Sequence, residues 1–357
     1  VIIDVHCHLG YSDLPRQSNG ERFAFEDDYR GADGRESYFS TRMLRRPGWF
    51  FIKRQLGVDP RLPPGAALDT QIRAINEKHF AAATSVDRLC LLAFDAYHDD
   101  DGSAIGPVAR KSERGSDLYT SNSLVRSVCL SDPEKLLFGA SIHPYRVGAV
   151  DALRSVADAG AALIKWLPVH QNIDTRDSRT IAFLEVAAEL DLPILVHYGG
   201  EMSLTTQHPD QEHPGAMLET LRELKARRRM PKMIVAHAAT PSMPWQNAEG
   251  HRLLVEALLG EFAETPLYAD ISALAAFGRT TWLKRLRKTP KLHRKLVFGT
   301  DFPIPVMLPA FARQIGLRRC KEIARLPSWI ERAYQLKRAL GYRDEVFTNG
   351  AHILRIR

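Results

Sequence analysis

From about residue 85 to residue 300 the chain repeats one rhythm, a short run rich in Val, Ile and Leu followed by a longer segment of helical period. Ile2–His8 adds a further apolar run at the N-terminus. Such runs read as strands buried on both faces, and helices between them bring neighbouring strands parallel. The strand candidates are Ile2–His8, Arg88–Phe94, Leu136–Ile142, Ala162–Leu167, Pro193–His197, Lys232–His237, Pro266–Ser272 and Lys295–Thr300. Helix candidates between them include Asp151–Ala159, Arg179–Leu190, Met217–Arg228, Ala248–Glu261 and Thr281–Lys288. An open doubly wound sheet would carry a Gly-rich phosphate loop after its first strand, where this chain has His6-Cys7-His8-Leu9-Gly10. The expected fold is therefore α/β, a (β/α)8 TIM barrel, and 357 residues suit one barrel domain with insertions, 1–357.

Two connections are too long for tight turns, about 11–65 after the first strand and 96–120 after the second. The first contains an aromatic, basic stretch, Tyr38–Phe51, expected to form small helices of its own. Both follow strands, so both should rise from the C-terminal face of the barrel, where active-site covers are built. The segment from about 309 to 357 should form a C-terminal helical cap over one end.

Composition excludes several classes. Hydrophobic residues make up 45% and charged residues 25%, which fits a large packed core and no disorder. The net charge of +7 would permit nucleic-acid binding if it were focused. Basic runs such as Lys225–Arg229 and Lys284–Lys288 instead sit on amphipathic helices, whose outer faces are solvated, so no nucleic-acid partner is expected. No apolar run approaches the ~20 residues that cross a bilayer, and no membrane partner is expected. Cys7, Cys90, Cys129 and Cys320 are far apart, suggesting neither a disulfide framework nor a CxxC site and fitting a cytoplasmic location. A homo-oligomer is compatible with these features.

Alternation along a strand puts Asp4, His6 and His8 on one side, with Val5 and Cys7 on the other. Apolar helices cover the outside of a barrel, so that polar set should face inward and raise two imidazoles at the top of the first strand. Other strands end the same way: Leu195-Val196-His197, Val235-Ala236-His237 and Phe298-Gly299-Thr300-Asp301. Each is an apolar run broken by one ionisable residue where barrel enzymes place their chemistry. One histidine alone would more readily be a core residue. The set together points to a divalent metal, most simply Zn²⁺, with Mn²⁺ or Fe²⁺ as alternatives. His79, His98, His208, His213, His251, His293 and His352 read as surface or packing residues.

Asp4-Val5-His6-Cys7-His8, the strand-end His197 and His237, and Thr300-Asp301-Phe302-Pro303 together resemble the amidohydrolase superfamily, in particular its amidohydrolase-2, aromatic decarboxylase-related branch. The resemblance extends to Gly139–Pro144 and to Asn349-Gly350-Ala351. It implies that His6, His8, His197 and Asp301 bind the metal. Lys165 and His237 would join as ligands in a two-metal arrangement, with Lys165 carboxylated; a single metal is the simpler expectation.

The resemblance also implies a mechanism. A metal-activated water would cleave an amide, ester or lactone in a small molecule, with Asp301 as proton shuttle and His237 stabilising the oxyanion. His143, Arg146, Trp166, His170, Tyr198 and Glu201 follow strand ends and are candidate substrate contacts. Two rivals stand beside this hydrolase: a metal-dependent decarboxylase of a small aromatic or unsaturated acid, and a non-catalytic binding or scaffold barrel. The Tyr198-Gly199-Gly200-Glu201 sequence after His197 resembles the hydrolytic members of the family more than the aromatic decarboxylases.

Overall fold

The computed structural model describes residues 1–16 and 21–356. Eight parallel strands form one sheet in strict chain order: β1 (Ile3–His8), β2 (Arg88–Leu92), β3 (Leu136–Ala140), β4 (Leu163–Trp166), β5 (Ile194–His197), β6 (Met233–Ala236), β7 (Leu267–Asp270) and β8 (Leu296–Val297). Each lies inside its expected run. Sequential neighbours joined by helices give a sheet that curls to a barrel. Its ends meet through backbone bonds from Val5 N–H to Phe298 O (3.2 Å), Asp301 N–H to His6 O (2.8 Å) and His8 N–H to Phe302 O (2.8 Å). β8 is shorter than the expected 295–300 because Lys295 ends a 3-10 turn, Pro290–Lys295, and beyond Val297 the regular ladder gives way to single bonds to β1 and to Ala273.

Helices α1 (Ala66–Ala81), α2 (Asn122–Leu130), α3 (Ala149–Asp158), α4 (Ser178–Glu189), α5 (Gly215–Ala226), α6 (Glu249–Leu259), α7 (Thr280–Arg287) and α8 (Trp329–Ala339) follow the eight strands in turn. Strand residues facing them, such as Leu91, Phe138, Ile164, Val196 and Val235, are buried in one continuous apolar layer. The alternate residues Val5, Leu92, Leu163, Leu195 and Ile234 fill the barrel interior. A last helix, α9 (Asp344–Leu354), inserts Ile353 into that inner cluster and closes the floor. Both faces of every strand thus lose water, which is why the runs are apolar throughout.

The long connections build the opposite end. Asp13–Pro15, Arg35–Phe39 and Leu118–Thr120 pair as a small antiparallel sheet that joins the two insertions. Between them the Tyr38–Phe51 region forms the expected short helices, Thr41–Leu44 and Pro47–Leu56, here called the lid. Among the described residues no helix is long and apolar enough to cross a membrane.

Candidate metal centre

Strand β1 contains a one-residue irregularity: Asp4 is in register with Leu89, yet Cys7 is in register with Leu91. Val5 and His6 together therefore oppose Cys90 alone, a β-bulge. The expectation that Asp4 shares a side with His6 and His8 is corrected by this bulge. Asp4 turns outward with Leu89, accepts hydrogen bonds from the Thr300 N–H (2.9 Å) and hydroxyl (2.5 Å), and lies in the field of Lys337 on α8. His6 and His8 remain inward.

Their imidazoles meet Asp301. His6 Nε2 is 3.2 Å from His8 Nε2 and 3.4 Å from Asp301 Oδ1, and His8 Nε2 is 3.0 Å from the same oxygen. His237 Nε2 stands 3.8 Å from Asp301 Oδ2. In a tetrahedral site with bonds of about 2.1 Å, neighbouring ligand atoms are about 3.4 Å apart. The first three donors have that spacing.

A second set of contacts decides which nitrogens carry protons. His237 Nδ1 lies 3.0 Å from the carbonyl oxygen of Ser272, which can only accept, so His237 is protonated at Nδ1. His6 Nδ1 donates to Asp270 Oδ2 at 2.8 Å. The Ser272 hydroxyl donates to Asp270 Oδ1 (2.5 Å) and lies 3.0 and 2.8 Å from the Nδ1 atoms of His6 and His237. Both Nε2 atoms thus present lone pairs toward Asp301. Burial holds the pKa of His6 and of His237 well below the ordinary imidazole range, with Lys165 and Arg279 respectively adding to it.

Lone pairs of two neutral imidazoles and a carboxylate, buried and facing one another, repel unless a cation stands among them. Burial alone would raise the Asp301 carboxyl, but His6, His8 and Lys165 outweigh it and hold it well below the usual carboxylate range. His197 lines the same cavity, and its buried Nε2 has no hydrogen-bond partner among the described residues, with Glu201 at 3.6 Å. These donors fit a divalent cation. His6, His237 and Asp270 also lie close together, but their facing atoms are already bonded through Ser272, so that group supports the first.

The backbone is strained where these groups emerge. His237, Ala238, Ala239, Ala273 and Asp301 have φ of 52°, 50°, 51°, 51° and 64°, a region uncommon for residues with a Cβ. All lie in the loops that follow β6, β7 or β8.

Above the donors is a cavity of about 150 Å³ whose floor also contains Lys165 and Glu201. Burial brings Lys165 down to about 8, with Asp301, Asp270 and Glu201 opposing the shift. Glu201 lies 3.6 Å from His197 and accepts the Leu204 N–H at 3.0 Å.

Of the residues singled out from sequence, His6, His8, Lys165, His197, Glu201, His237 and Asp301 line this cavity. His143, Arg146, Trp166, His170 and Tyr198 do not, and each is held elsewhere. Trp166 and Tyr198 follow inward residues and so point outward, where Trp166 donates to Ile142 O (2.8 Å) and Tyr198 joins the outer core. His143 is bonded to Gln171 O (2.8 Å), and His170 to Thr205 O (2.9 Å). Arg146 stacks on Tyr29 at 3.7 Å and faces Asp95 at 3.6 Å, so it is no free clamp for a substrate carboxylate. Sequence reading missed Asp270, Ser272 and Arg279. Asp270 had a usable signal, since Leu267-Tyr268-Ala269-Asp270 ends in one carboxylate just as the other strands end in His or Asp.

Comparison with solved structures finds the same fold. An uncharacterized TIM-barrel protein from Bordetella bronchiseptica is 14% identical with a TM-score of 0.55, covering 99% of this chain and 98% of that one. A probable 2-pyrone-4,6-dicarboxylic acid hydrolase from Acinetobacter baumannii, with citric acid bound, is 11% identical with a TM-score of 0.51, covering 99% of each chain. A 2,6-dihydroxybenzoate decarboxylase from Rhizobium is 14% identical with a TM-score of 0.48, covering 99% of each. No curated protein matches the sequence. The sequence model described as Amidohydrolase (Amidohydro_2) matches residues 3–321, and the chain accordingly belongs to the amidohydrolase family.

Proposed function

We propose that this protein is a metal-dependent hydrolase that cleaves an amide, ester or lactone bond in a small molecule. The observation that carries the reading is the convergence of His6 Nε2, His8 Nε2 and Asp301 Oδ1 within 3.0–3.4 Å of one another, with the Nδ1 proton of His6 engaged by Asp270. His6, His8, His197 and Asp301 would hold one divalent cation, of which Zn²⁺ suits the N and O donors best, with Mn²⁺ or Fe²⁺ as alternatives. When bound, such a cation supplies Lewis acidity and brings the pKa of water from 15.7 toward ~7.

The chain's own groups then divide the proton work. Asp301 is ionised and accepts the proton of the attacking water through Oδ2, later passing it to the leaving group. His237 Nε2, 3.8 Å from that oxygen, is an acceptor in its observed hydrogen-bonding state and orients the water. This role differs from the oxyanion donor expected from sequence, because an unprotonated nitrogen cannot donate. Lys165 is the cation on the floor and takes that part, facing the negative charge that develops on the cleaved group.

The decarboxylase reading has one observation of its own. The cavity walls are largely apolar, and an apolar wall raises the energy of a bound carboxylate relative to a state in which its charge has moved. Metal analysis of the purified protein, followed by parallel assay of CO2 release and of ester, lactone and amide cleavage on small substrates, separates the cases. Hydrolysis with stoichiometric metal supports the proposal. CO2 release without hydrolysis assigns the site to the decarboxylase, and absence of transition metal assigns the barrel to binding.

A further inference from the structure

The cavity above the donors divides sharply in chemistry. Every ionisable residue that lines it is on the floor: His6, His8, Lys165, His197, Glu201, His237 and Asp301. The walls and roof are apolar apart from Asn76, Ser203 and the indole N–H of Trp49, and the lid contributes much of them through Met43, Trp49, Ile52 and Leu56 beside Phe39 and Ile72. Trp49 packs edge-on against Phe39 with ring centroids 4.8 Å apart, which joins the two rings within the roof.

No arginine lines the cavity among the described residues. The nearby guanidinium groups have other partners: Arg42 binds Asp117 (2.7 Å), Arg146 faces Asp95 (3.6 Å), and Arg279 donates to Gly200 O. Among the described residues Lys165 is therefore the one fixed cation lining the cavity, and it lies beside the reacting position. A second anionic group on a substrate would meet walls that offer no cation among the described residues and few polar groups in exchange for its water.

We propose that the substrate carries a single polar head, which reacts at the floor, on an uncharged apolar body, and that the lid residue Trp49 sets the length of that body. The inference rests on the hydrolase reading for the identity of the head and on the walls alone for the body. Floor and walls together enclose about 150 Å³, room for roughly a benzene-sized group, so a body of no more than about six carbons is expected. Polycarboxylates are excluded as good substrates by the same walls.

The test uses hexanoate, adipate and octanoate as probes, titrated calorimetrically into the full chain with and without added Zn²⁺, alongside hydrolysis of the butyl, hexyl and octyl acyl series of a common ester. Hexanoate and adipate match in length and differ by one terminal carboxylate. Hexanoate is expected to bind at least tenfold tighter than adipate. In Trp49→Ala, octanoate should gain about tenfold relative to hexanoate, the value of two additional methylenes buried. Ile52→Ala, a smaller change on the same helix, should shift preference the same way and keeps the test valid if Trp49→Ala does not fold. Adipate binding as tightly as hexanoate overturns the inference, as does an unchanged length preference in both variants. Hexanoate selectivity without hydrolysis of any ester removes the hydrolase reading and leaves the substrate class standing; hydrolysis that favours diacid esters does the reverse.

Discussion

His6 Nδ1 lies 2.8 Å from Asp270 Oδ2, and through this contact a carboxylate on β7 decides which nitrogen of a β1 histidine faces the cavity. An amide in place of the carboxylate could donate to Nδ1 and favour the opposite tautomer, with the proton on Nε2. Asp270→Asn should therefore leave the barrel folded while weakening metal binding about 10- to 100-fold, the usual effect of losing a carboxylate behind a ligand histidine. Chelator competition measures the affinity, and circular dichroism checks the fold. Unchanged affinity would show that Asp270 does not govern His6.

The lid is tied down by another carboxylate. Asp117 accepts from Arg42 Nε (2.7 Å), Ser40 Oγ (2.8 Å) and Thr205 N–H (2.8 Å), and its own N–H donates to His170 Nε2 (3.1 Å). Burial works against its ionisation, but His170, Arg42 and Ser40 outweigh burial and bring its pKa from 3.8 to about 2. A depressed folded-state pKa stabilises the protein above the unfolded value, and that contribution fades as pH falls from about 4 through about 2. Its size is on the order of 2 kcal/mol. Asp117→Asn should thus be less stable than the parent at pH 6, with the gap narrowing by pH 2.5 in denaturant titrations. A gap of constant size across that range would remove the ion network as its cause.

Most of this architecture was legible because strand-end chemistry and strand-body chemistry contrast so strongly. His6, His8, His197, His237 and Asp301 each interrupt an apolar run, and all five line one cavity. Asp4 was misplaced because the period of two is broken by one additional residue, and nothing in Asp4-Val5-His6-Cys7 marks the bulge. His143, Arg146 and His170 follow strands and look available in sequence, but loop side chains take their direction from distant partners. Arg146 meets Tyr29 and Asp95, and His170 meets Asp117, across separations that no local pattern records. The division of the cavity into polar floor and apolar lid was likewise invisible, since Phe39, Trp49 and Ile52 acquire that role only when the insertion folds back over the barrel.

Gly199 lies close against the backbone that follows His237. Its φ is 88°, and a Cβ built there would lie 2.5 Å from Thr240 O and 2.6 Å from the Ala239 carbonyl carbon. Those atoms belong to the left-handed turn that follows His237. Gly199→Ala combines backbone strain with a clash against main chain, together about 2–4 kcal/mol. The melting temperature should fall, and activity should fall further than stability alone explains, because both His197 and His237 border the displaced turn. A variant with parental melting temperature would contradict the packing.

Cation binding should itself stabilise the fold. The Nε2 atoms of His6 and His237 face Asp301 at 3.4 and 3.8 Å, an arrangement of lone pairs to which a cation would add attraction. A ligand that binds only the native state contributes about 4 kcal/mol at 1,000 times its dissociation constant. Thermal unfolding with excess Zn²⁺ against excess chelator should show a rise of several degrees, fully reversible on readdition. His6→Ala removes one donor and leaves Asp270 without its imidazole partner, so the rise should shrink to near zero while the chelated protein stays folded. A Zn²⁺-dependent rise of equal size in His6→Ala would place the cation elsewhere on the molecule.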